Sequence, residues 1–180
     1  MSNVKHHHGV RLECVIGDIA KQADMDAVVN AANAELRIGG GVAGAIHRTA
    51  GRGLEEECRA LAPIRPGQAV ITSAHDLPNR FVIHCLGPVY GADKPEDKLL
   101  ATCYRNALRL AEDNNIPSIA FPAISTGAFG YPIEPATQVA WSTILDELEN
   151  LSAVRHIRFV LFSEADQEVH LRILSELLDK

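Results

Sequence analysis

The sequence predicts an α/β fold, a three-layer α/β/α sandwich around a central mixed, mostly parallel sheet. Short apolar runs alternate along the chain with longer stretches of helical periodicity, as in parallel strands joined by crossover helices. The chain has 180 residues, 47% of them apolar and 22% charged, which is the size and composition of one globular domain. We therefore expect a single domain with helices on both faces of the sheet.

Six apolar runs bounded by turn residues are predicted as strands: 11–16, 27–30, 69–73, 81–85, 118–121 and 156–162. Residues 1–10 are predicted to form a flexible N-terminal segment. In this interpretation His6, His7 and His8 are a solvated tail or the remnant of a tag, and not a metal-binding tract.

Three long stretches are predicted as helices from the spacing of their apolar residues. The buried faces are marked by residues between Leu100 and Ala111, by Ala140, Ile144 and Leu148, and by Val169, Ile173 and Leu177. Pro135 lies in the first turn of the second helix, and Ser163 with Asp166 opens the third as a variant of the capping box. A shorter helix is expected from Ala45, and Glu55, Glu56 and Glu57 are read as the solvated face of another.

The charge balance argues against binding to duplex nucleic acid. The net charge is −6 and the pI is 5.7, whereas a non-specific grip on a duplex needs a basic surface. The uncharged stretch from Asn114 to Ile133 contains Pro117, Pro122 and Pro132, which a lipid-exposed helix does not tolerate together. No signal-peptide pattern opens the chain, so we expect a cytoplasmic monomer with no membrane partner.

Common nucleophile motifs are missing from the sequence. Cys14, Cys58, Cys85 and Cys103 form no Cys-x-x-Cys pair and are predicted to be reduced core thiols. His84 adjoins Cys85 in a strand, so the two side chains point to opposite faces, which argues against a Cys–His couple. The segment around Ser125 lacks the first glycine of a hydrolase elbow.

Two glycine-rich loops follow predicted strands and are the expected site of function. The first runs from Asn30 through Asn33 to the glycines at 39, 40, 41 and 44, and the second covers 122–132. Glycine allows a backbone to approach an anion closely, and successive N–H groups can then surround a phosphate. A helix that starts after the first loop adds its positive end. Together the loops could hold a diphosphate from both sides, although chance glycine turns would give the same composition.

Known phosphate-binding patterns fit poorly. The glycines at 39, 41 and 44 match the dinucleotide fingerprint, but eight residues separate Asn30 from Gly39, whereas a Rossmann loop leaves its strand directly. No acidic residue ends a second strand at the expected distance. Gly44 is followed by Ala45 and Ile46, which excludes the Walker pattern. A Rossmann-type oxidoreductase is therefore disfavoured.

From Gly17 to Leu178 the chain resembles a macrodomain, the ADP-ribose-binding α/β/α module. Five motifs in the right order carry the resemblance: GDI at 17–19, VVNAAN at 28–33, GGGVAGAIH at 39–47, GPVY at 87–90 and ISTGAFG at 124–130. The resemblance implies one macro domain over residues 1–180, with ADP-ribose as ligand or product and no cofactor. An ADP-ribosylated protein is the implied partner.

The resemblance also implies roles for individual residues. Asp18 would accept from the adenine amino group, the Ile19 backbone would help to hold the ring, and Phe162 would lie against it. Gly39, Gly40, Gly41 and Val42 would surround one phosphate, and Ser125, Thr126, Gly127, Ala128 and Phe129 the other. Asn33 would bind the distal ribose beside Phe129. His47 and Asn30 are read as structural.

Three of these roles have alternatives that the residues alone leave open. Asp18 follows a strand and could instead cap a helix, since Asp is a preferred N-cap residue. Asn33 could bond only its own loop, as asparagine often does. Phe162 could belong to the core.

One position departs from the pattern of the deacylating relatives. Their glycine segment reads GGGVDG, and its Asp is assigned a catalytic role with the Asn ten residues earlier. Here Ala43 stands ten residues after Asn33. Viral macrodomains with Ala at this point are hydrolases, with a suggested route through a water held between a substrate phosphate and the distal ribose.

The resemblance therefore implies an enzyme of reduced activity. It would remove mono-ADP-ribose from acidic side chains or deacetylate O-acetyl-ADP-ribose, with Asn33 as the candidate catalytic residue. The alternative is a non-catalytic ADP-ribose reader. No Cys/His cluster follows the Asn motif, so a zinc-dependent mechanism is not expected.

Overall fold

The computed structural model describes residues 2–180, which form seven strands and five α-helices. The strands are β1 (Val4–His7), β2 (Val10–Ile16), β3 (Ala27–Ala31), β4 (Ala69–Ser73), β5 (Phe81–Cys85), β6 (Ser118–Phe121) and β7 (His156–Leu161). The helices are α1 (Gly41–Ala50), α2 (Arg52–Arg59), α3 (Glu96–Asp113), α4 (Ile133–Glu147) and α5 (Glu164–Leu178), and a 3₁₀ turn covers Leu148–Asn150. None of these helices is long and apolar enough to cross a membrane.

The strands form one sheet in the order β1-β2-β7-β6-β3-β5-β4. The five inner strands pair in parallel, and only the edge pairs β1 with β2 and β4 with β5 are antiparallel. Helices α3, α4 and α5 bury one face of the sheet around Trp141, Tyr104 and Phe159. Helices α1 and α2 cover the other face around Ile46 and Leu54. The predicted mixed α/β/α sandwich is confirmed.

The flexible segment predicted for residues 1–10 is wrong for the first strand. Val4–His7 pairs with β2 in register His7↔Val10, so a two-residue turn of His8 and Gly9 closes a hairpin. Both turn residues have positive φ, +49° and +76°, which is the geometry of the tightest hairpin turns. The edge position of β1 explains its polar sequence, because an edge strand faces water on one side.

Two helix predictions need correction in detail. Helix α1 begins at Gly41, four residues before the predicted start at Ala45. Glu57 is not simply solvated, because its carboxylate accepts from the His75 ring at 2.8 Å and from the Ser73 backbone N–H. The capping of α5 is as predicted, since the Ser163 hydroxyl accepts from the Asp166 N–H at 3.1 Å.

All four cysteines are free and buried, as predicted. His84 turns to the face of α2, where its Nε2 lies 3.8 Å from the Cys58 sulfur. Burial raises the pKa of Cys58 to about 11, so this pair holds a neutral thiol and not a nucleophile.

Two buried histidines predict an acid-sensitive fold. His84 and His170 are 0% and 1% exposed, and burial lowers the pKa of each to about 3. Between pH 6.5 and 3 the unfolded chain therefore binds more protons than the folded one, and stability falls as the pH falls. We expect each histidine to lower the free energy of unfolding by about 2 kcal/mol between pH 7.5 and 5.0.

Urea denaturation at the two pH values measures this loss. His170→Leu is the matched variant and should remove about 2 kcal/mol of the pH-dependent difference, whatever its effect on stability at pH 7.5. Arg158 lowers the pKa of Asp24 to about 2, so the contribution of Asp24 to the free energy of unfolding is lost only below pH 5.0. Equal unfolding free energies at pH 7.5 and 5.0 would contradict the prediction.

Candidate functional site

The candidate site lies where the carboxyl ends of four neighbouring strands meet. β2, β7, β6 and β3 are adjacent and parallel, so the loops that follow them open onto the same edge of the sheet. These loops carry the residues singled out in the sequence. Crevices at this edge are where open α/β sheets bind ligands.

The first glycine loop ends in the N-terminus of α1. Gly40 is the N-cap and makes no side-chain cap, and the first turn holds no acidic residue. Only the Gly44 N–H turns back, to the Gly40 carbonyl at 3.3 Å. Within residues 2–180, the N–H groups of Gly41, Val42 and Ala43 have no acceptor. Unpaired N–H groups at a helix N-terminus are able to bind an anion.

At two positions of the first loop the local structure requires glycine, for a different reason at each. Gly41 has φ +55°, in the left-handed region, where a side chain is strained. At Gly44 an added Cβ would lie 2.4 Å from the Gly39 carbonyl oxygen. Gly44 therefore allows the loop to fold directly against α1.

The second loop is built around Ser125, which has φ +68° and is 6% exposed. Its hydroxyl donates to the Pro88 carbonyl at 2.8 Å, and its carbonyl accepts from the Tyr131 N–H at 2.9 Å. The prediction that Ser125 serves the ligand is thus restricted to its backbone, because the side chain is buried in the scaffold. Gly87 makes room for that side chain, since a Cβ there would lie 2.1 Å from the Ser125 oxygen.

The rest of the second loop also presents backbone donors. Thr126 bonds inward, with its N–H and hydroxyl both donating to the Ala123 carbonyl. In the described chain the N–H groups of Ser125, Gly127, Ala128 and Phe129 have no acceptor. Both loops therefore carry unpaired N–H groups at the same edge of the sheet, as the sequence predicted.

The other end of the cleft carries Asp18 and Phe162. Ile16 and Leu161 pair in register, so the residues that follow them are neighbours. No helix follows Asp18, and its Oδ1 accepts from the Ala20 N–H at 2.9 Å, so the helix-cap alternative is wrong. Phe162 is 76% exposed, which excludes the core alternative. An exposed carboxylate and an exposed aromatic ring thus lie at adjacent strand ends.

Asn33 is held by its own loop. Its Nδ2 donates to the Arg37 carbonyl at 2.8 Å and its Oδ1 accepts from the Arg37 N–H at 3.0 Å. Asn33 thus bonds its loop through both amide atoms, and each of these atoms retains one further bonding position. A Cβ on Gly39 would lie 3.2 Å from the Asn33 Nδ2 and 3.8 Å from the Ala43 Cβ. Asn33 and Ala43 therefore border the same glycine.

Asn30 and His47 lie beneath the loops and are buried, in line with a structural role. Asn30 Nδ2 lies 3.1 Å from His84 Nδ1, and His84 Nε2 lies 2.9 Å from the Thr72 hydroxyl. Both ring nitrogens of His47 lack a partner within residues 2–180, and burial lowers the pKa of that ring. His47 is therefore neutral and does not reach the cleft surface.

Two contacts that support the second loop were not predicted from the sequence. The Tyr104 hydroxyl accepts from the Ile124 N–H at 3.2 Å, and the Tyr90 N–H donates to the Phe129 carbonyl at 2.9 Å. Tyr104 was visible only as one apolar position of α3. The described residues also contain no cluster of His, Cys, Asp and Glu that could hold a metal ion.

Fold and cleft together define an α/β/α domain with an anion-accepting cleft of backbone amides. Residues 29–140 match the sequence profile of the macro domain. An O-acetyl-ADP-ribose deacetylase of Klebsiella pneumoniae is 45% identical over 92% of this chain and 97% of its own length. An ADP-ribose glycohydrolase of Xenopus laevis is 46% identical over 91% of this chain and 40% of its own length. The chain belongs to the macro domain family.

A solved macrodomain is closely similar over the whole fold. The Oceanobacillus iheyensis macrodomain with ADP has a TM-score of 0.93 and 39% identity, covering 98% of this chain and 96% of its own. The same protein has been solved as Asn-to-Ala and Asp-to-Ala mutants and, with ADPR, as a Gly-to-Val mutant. An Asn, an Asp and a Gly have thus been substituted in that protein.

Proposed function

We propose that this protein binds ADP-ribose in the cleft at the carboxyl edge of the sheet. Adenine lies between Asp18, the Ile19 backbone and Phe162. The diphosphate lies between Gly39–Val42 and Ser125–Phe129, and the distal ribose lies at Asn33 beside Phe129. The relatives named for ADP-ribose chemistry and the macrodomain solved with ADP support this assignment.

One observation carries the proposal: two sets of unpaired backbone N–H groups lie on loops that follow the neighbouring parallel strands β3 and β6. Gly41, Val42 and Ala43 offer donors from one loop, and Ser125 with Gly127 to Phe129 offers them from the other. Seven donors without acceptors are costly unless water or an anion satisfies them. A diphosphate carries negative oxygens on both phosphates and so matches two neighbouring loops that each offer free N–H groups.

The proposed reaction is hydrolysis of an ester of ADP-ribose. One water is consumed, the bond between the ribose oxygen and the acyl carbon breaks, and free ADP-ribose and a carboxylic acid are released. The acyl group is an acidic side chain of a modified protein or an acetyl group. Asn33 orients the distal ribose, and the phosphate loops hold the water against it, so that catalysis comes from orientation.

The second candidate function is that of a reader that binds ADP-ribose without turnover. Ala43 favours it, because a methyl group, which cannot activate water as a carboxylate could, stands at the helix position that borders Gly39, as Asn33 also does. The two functions share the binding site and differ only in the chemical step.

Two measurements on the wild-type protein test the proposal separately. Calorimetric titration with ADP-ribose tests binding, and release of ADP-ribose from a glutamate-modified protein and from O-acetyl-ADP-ribose tests turnover. Binding with release above the uncatalysed rate supports the hydrolase. Binding without such release identifies a reader, and absence of binding overturns both.

Asp18→Ala is expected to weaken ADP-ribose binding roughly 10- to 150-fold. A hydrogen bond to a charged group contributes about 1.5–3 kcal/mol, and the free oxygen of the exposed Asp18 carboxylate is available to the adenine amino group. Calorimetry on the two proteins measures the change. Asp113→Ala removes an exposed carboxylate at the end of α3, on the opposite edge of the sheet, and should bind like wild type. Equal affinities for wild type and Asp18→Ala would show that Asp18 does not read adenine.

A further inference from the structure

We infer that Gln22 and Arg158 are positioning residues that set the adenine end of the cleft. The inference rests on the proposed function, since it concerns how Asp18 and Ile19 are held toward the ligand. Neither residue touches the cleft surface, because Gln22 is 7% exposed and Arg158 is 9% exposed. Together they link the loop after β2 to the middle of the sheet.

The first link joins Gln22 to the backbone of Asp18. Gln22 Nε2 donates to the Asp18 carbonyl at 2.8 Å, and the Lys21 N–H donates to the same carbonyl at 2.9 Å. These two bonds fix the plane of the peptide between Asp18 and Ile19. In a trans peptide the N–H points opposite to the C=O, so the Ile19 N–H is turned away from Gln22. It has no acceptor within residues 2–180.

The second link joins Gln22 to the sheet through Arg158. Arg158 donates to Gln22 Oε1 at 2.9 Å, so the amide of Gln22 is held at both ends. The amide orientation follows from these partners, because its oxygen must face the guanidinium and its nitrogen the carbonyl. A rotation of Gln22 would place two donors or two acceptors together.

Arg158 is itself held rigidly by charged partners. Its Nε donates to Glu13 Oε1 at 2.7 Å, and its two terminal nitrogens donate to the Asp24 carboxylate at 2.8 and 2.7 Å. His156 also contacts Glu13. Burial alone would raise the pKa of Glu13, but the bonds from Arg158 and His156 lower it, so Glu13 stays ionised. These hydrogen bonds hold the guanidinium of Arg158 in one orientation on β7.

The contacts therefore form a chain from β2 and β7 through Arg158 and Gln22 to the peptide that follows Asp18. A side chain that holds a backbone carbonyl at this point determines where the Asp18 acceptor and the Ile19 donor face. These are the two groups that the proposed function assigns to adenine. Asp24 lies on the same guanidinium but makes no contact with Asp18, which makes it the natural control.

Gln22→Glu tests the link most directly. A carboxylate at 22 still accepts from Arg158, but it cannot donate to the Asp18 carbonyl, so one bond is lost and the other is kept. The probes are ADP-ribose and inosine diphosphate ribose. Hypoxanthine has an oxygen in place of the adenine amino group and a proton on the adjacent ring nitrogen. Hypoxanthine therefore presents an acceptor to the Asp18 carboxylate and a donor to the Ile19 N–H, the reverse of what adenine presents.

We expect wild type to prefer ADP-ribose, and Gln22→Glu to reduce that preference roughly 2- to 12-fold while the affinity for inosine diphosphate ribose changes little. Asp24→Asn should keep the wild-type preference. A general loosening of the fold would weaken both ligands alike, so the ratio of affinities separates positioning from stability. Thermal melts confirm that each variant is folded, and Gln22→Met replaces Gln22→Glu if the latter is not.

The outcomes are distinguishable. An unchanged preference in Gln22→Glu, or an equal loss for both ligands, overturns the positioning role and leaves the proposed function standing. The same loss of preference in Asp24→Asn also overturns it, because the effect would then belong to the whole charged cluster. Failure of wild type to bind ADP-ribose overturns the proposed function itself, and the inference with it.

Discussion

Ala43→Asp is expected to raise the rate of ADP-ribose release from a glutamate-modified substrate by about 10²- to 10⁴-fold, the range of a positioned general base. The Ala43 methyl and the Asn33 amide border the same point of the loop, at Gly39. A carboxylate at 43 would thus stand beside the group that orients the distal ribose. It could accept a proton from a water held there.

The helix favours a carboxylate at this position. Ala43 is the third residue of α1, and the first turn contains no acidic side chain. An acidic residue there interacts favourably with the positive end of the helix, which offsets part of the cost of placing a carboxylate at a position that is 5% exposed. The positive helix end lowers the pKa of such a carboxylate and so opposes the increase that burial causes.

Three matched variants make the result interpretable. Ala43→Asn has the same shape without the charge and should stay near the wild-type rate. Asn33→Ala should remove most turnover in the wild-type background and in the Ala43→Asp background, because orientation of the ribose is lost in both. Single-turnover rates at saturating substrate measure the chemical step. A rate for Ala43→Asp equal to that of wild type, or matched by Ala43→Asn, would contradict the general-base explanation.

The fold could be predicted because its inner strands are buried on both faces. Strands such as Phe81–Cys85 and Ser118–Phe121 consist mainly of apolar residues, and their predicted ends agree with the structure. The edge strand β1 was missed because three of its four residues, VKHH, are polar. Such a short segment shows no alternation of apolar and polar residues that would distinguish a strand from a disordered terminus. The two-residue turn of His8 and Gly9 indicates a hairpin, but it is identified as a turn only once the pairing of β1 with β2 is known.

The sequence predicted which loops form the candidate site, but it did not predict the direction of individual side chains in them. Glycine content and position after a strand indicated both loops, yet Ser125 turns its hydroxyl to Pro88, which lies 37 residues away in the chain. The direction of that side chain depends on the space left by Gly87. Such contacts between distant segments are set by packing and leave no local pattern.

The Gln22–Arg158 link was missed for the same reason. Its partners are 136 residues apart. One signal was present, since Glu13 and Arg158 each place a charge inside an apolar strand pattern. Opposite charges in two buried strands predict that the strands are neighbours, and these two residues are indeed partners in the register of β2 and β7.

Gly41→Val is expected to weaken ADP-ribose binding by at least ~100-fold. Gly41 has φ +55°, a conformation that costs a side chain about 1–2 kcal/mol and that a β-branched residue adopts least readily. A valine would move the backbone toward ordinary φ values and turn the N–H groups of Gly41 and Val42 out of the cleft. Loss of two charge-assisted hydrogen bonds of about 1.5–3 kcal/mol each gives the expected effect.

The reason is the backbone angle and not the bulk of valine alone. An added Cβ at Gly41 meets nothing within 4 Å, so the strain comes from the left-handed φ of +55°. Gly9→Val is the matched control, because Gly9 has φ +76° in the β1–β2 turn at the far edge of the sheet. It should carry a similar strain, lower the melting temperature and leave the affinity unchanged. Calorimetry on both variants decides the matter, since wild-type affinity in a folded Gly41→Val protein would show that the first loop does not bind phosphate through these amides.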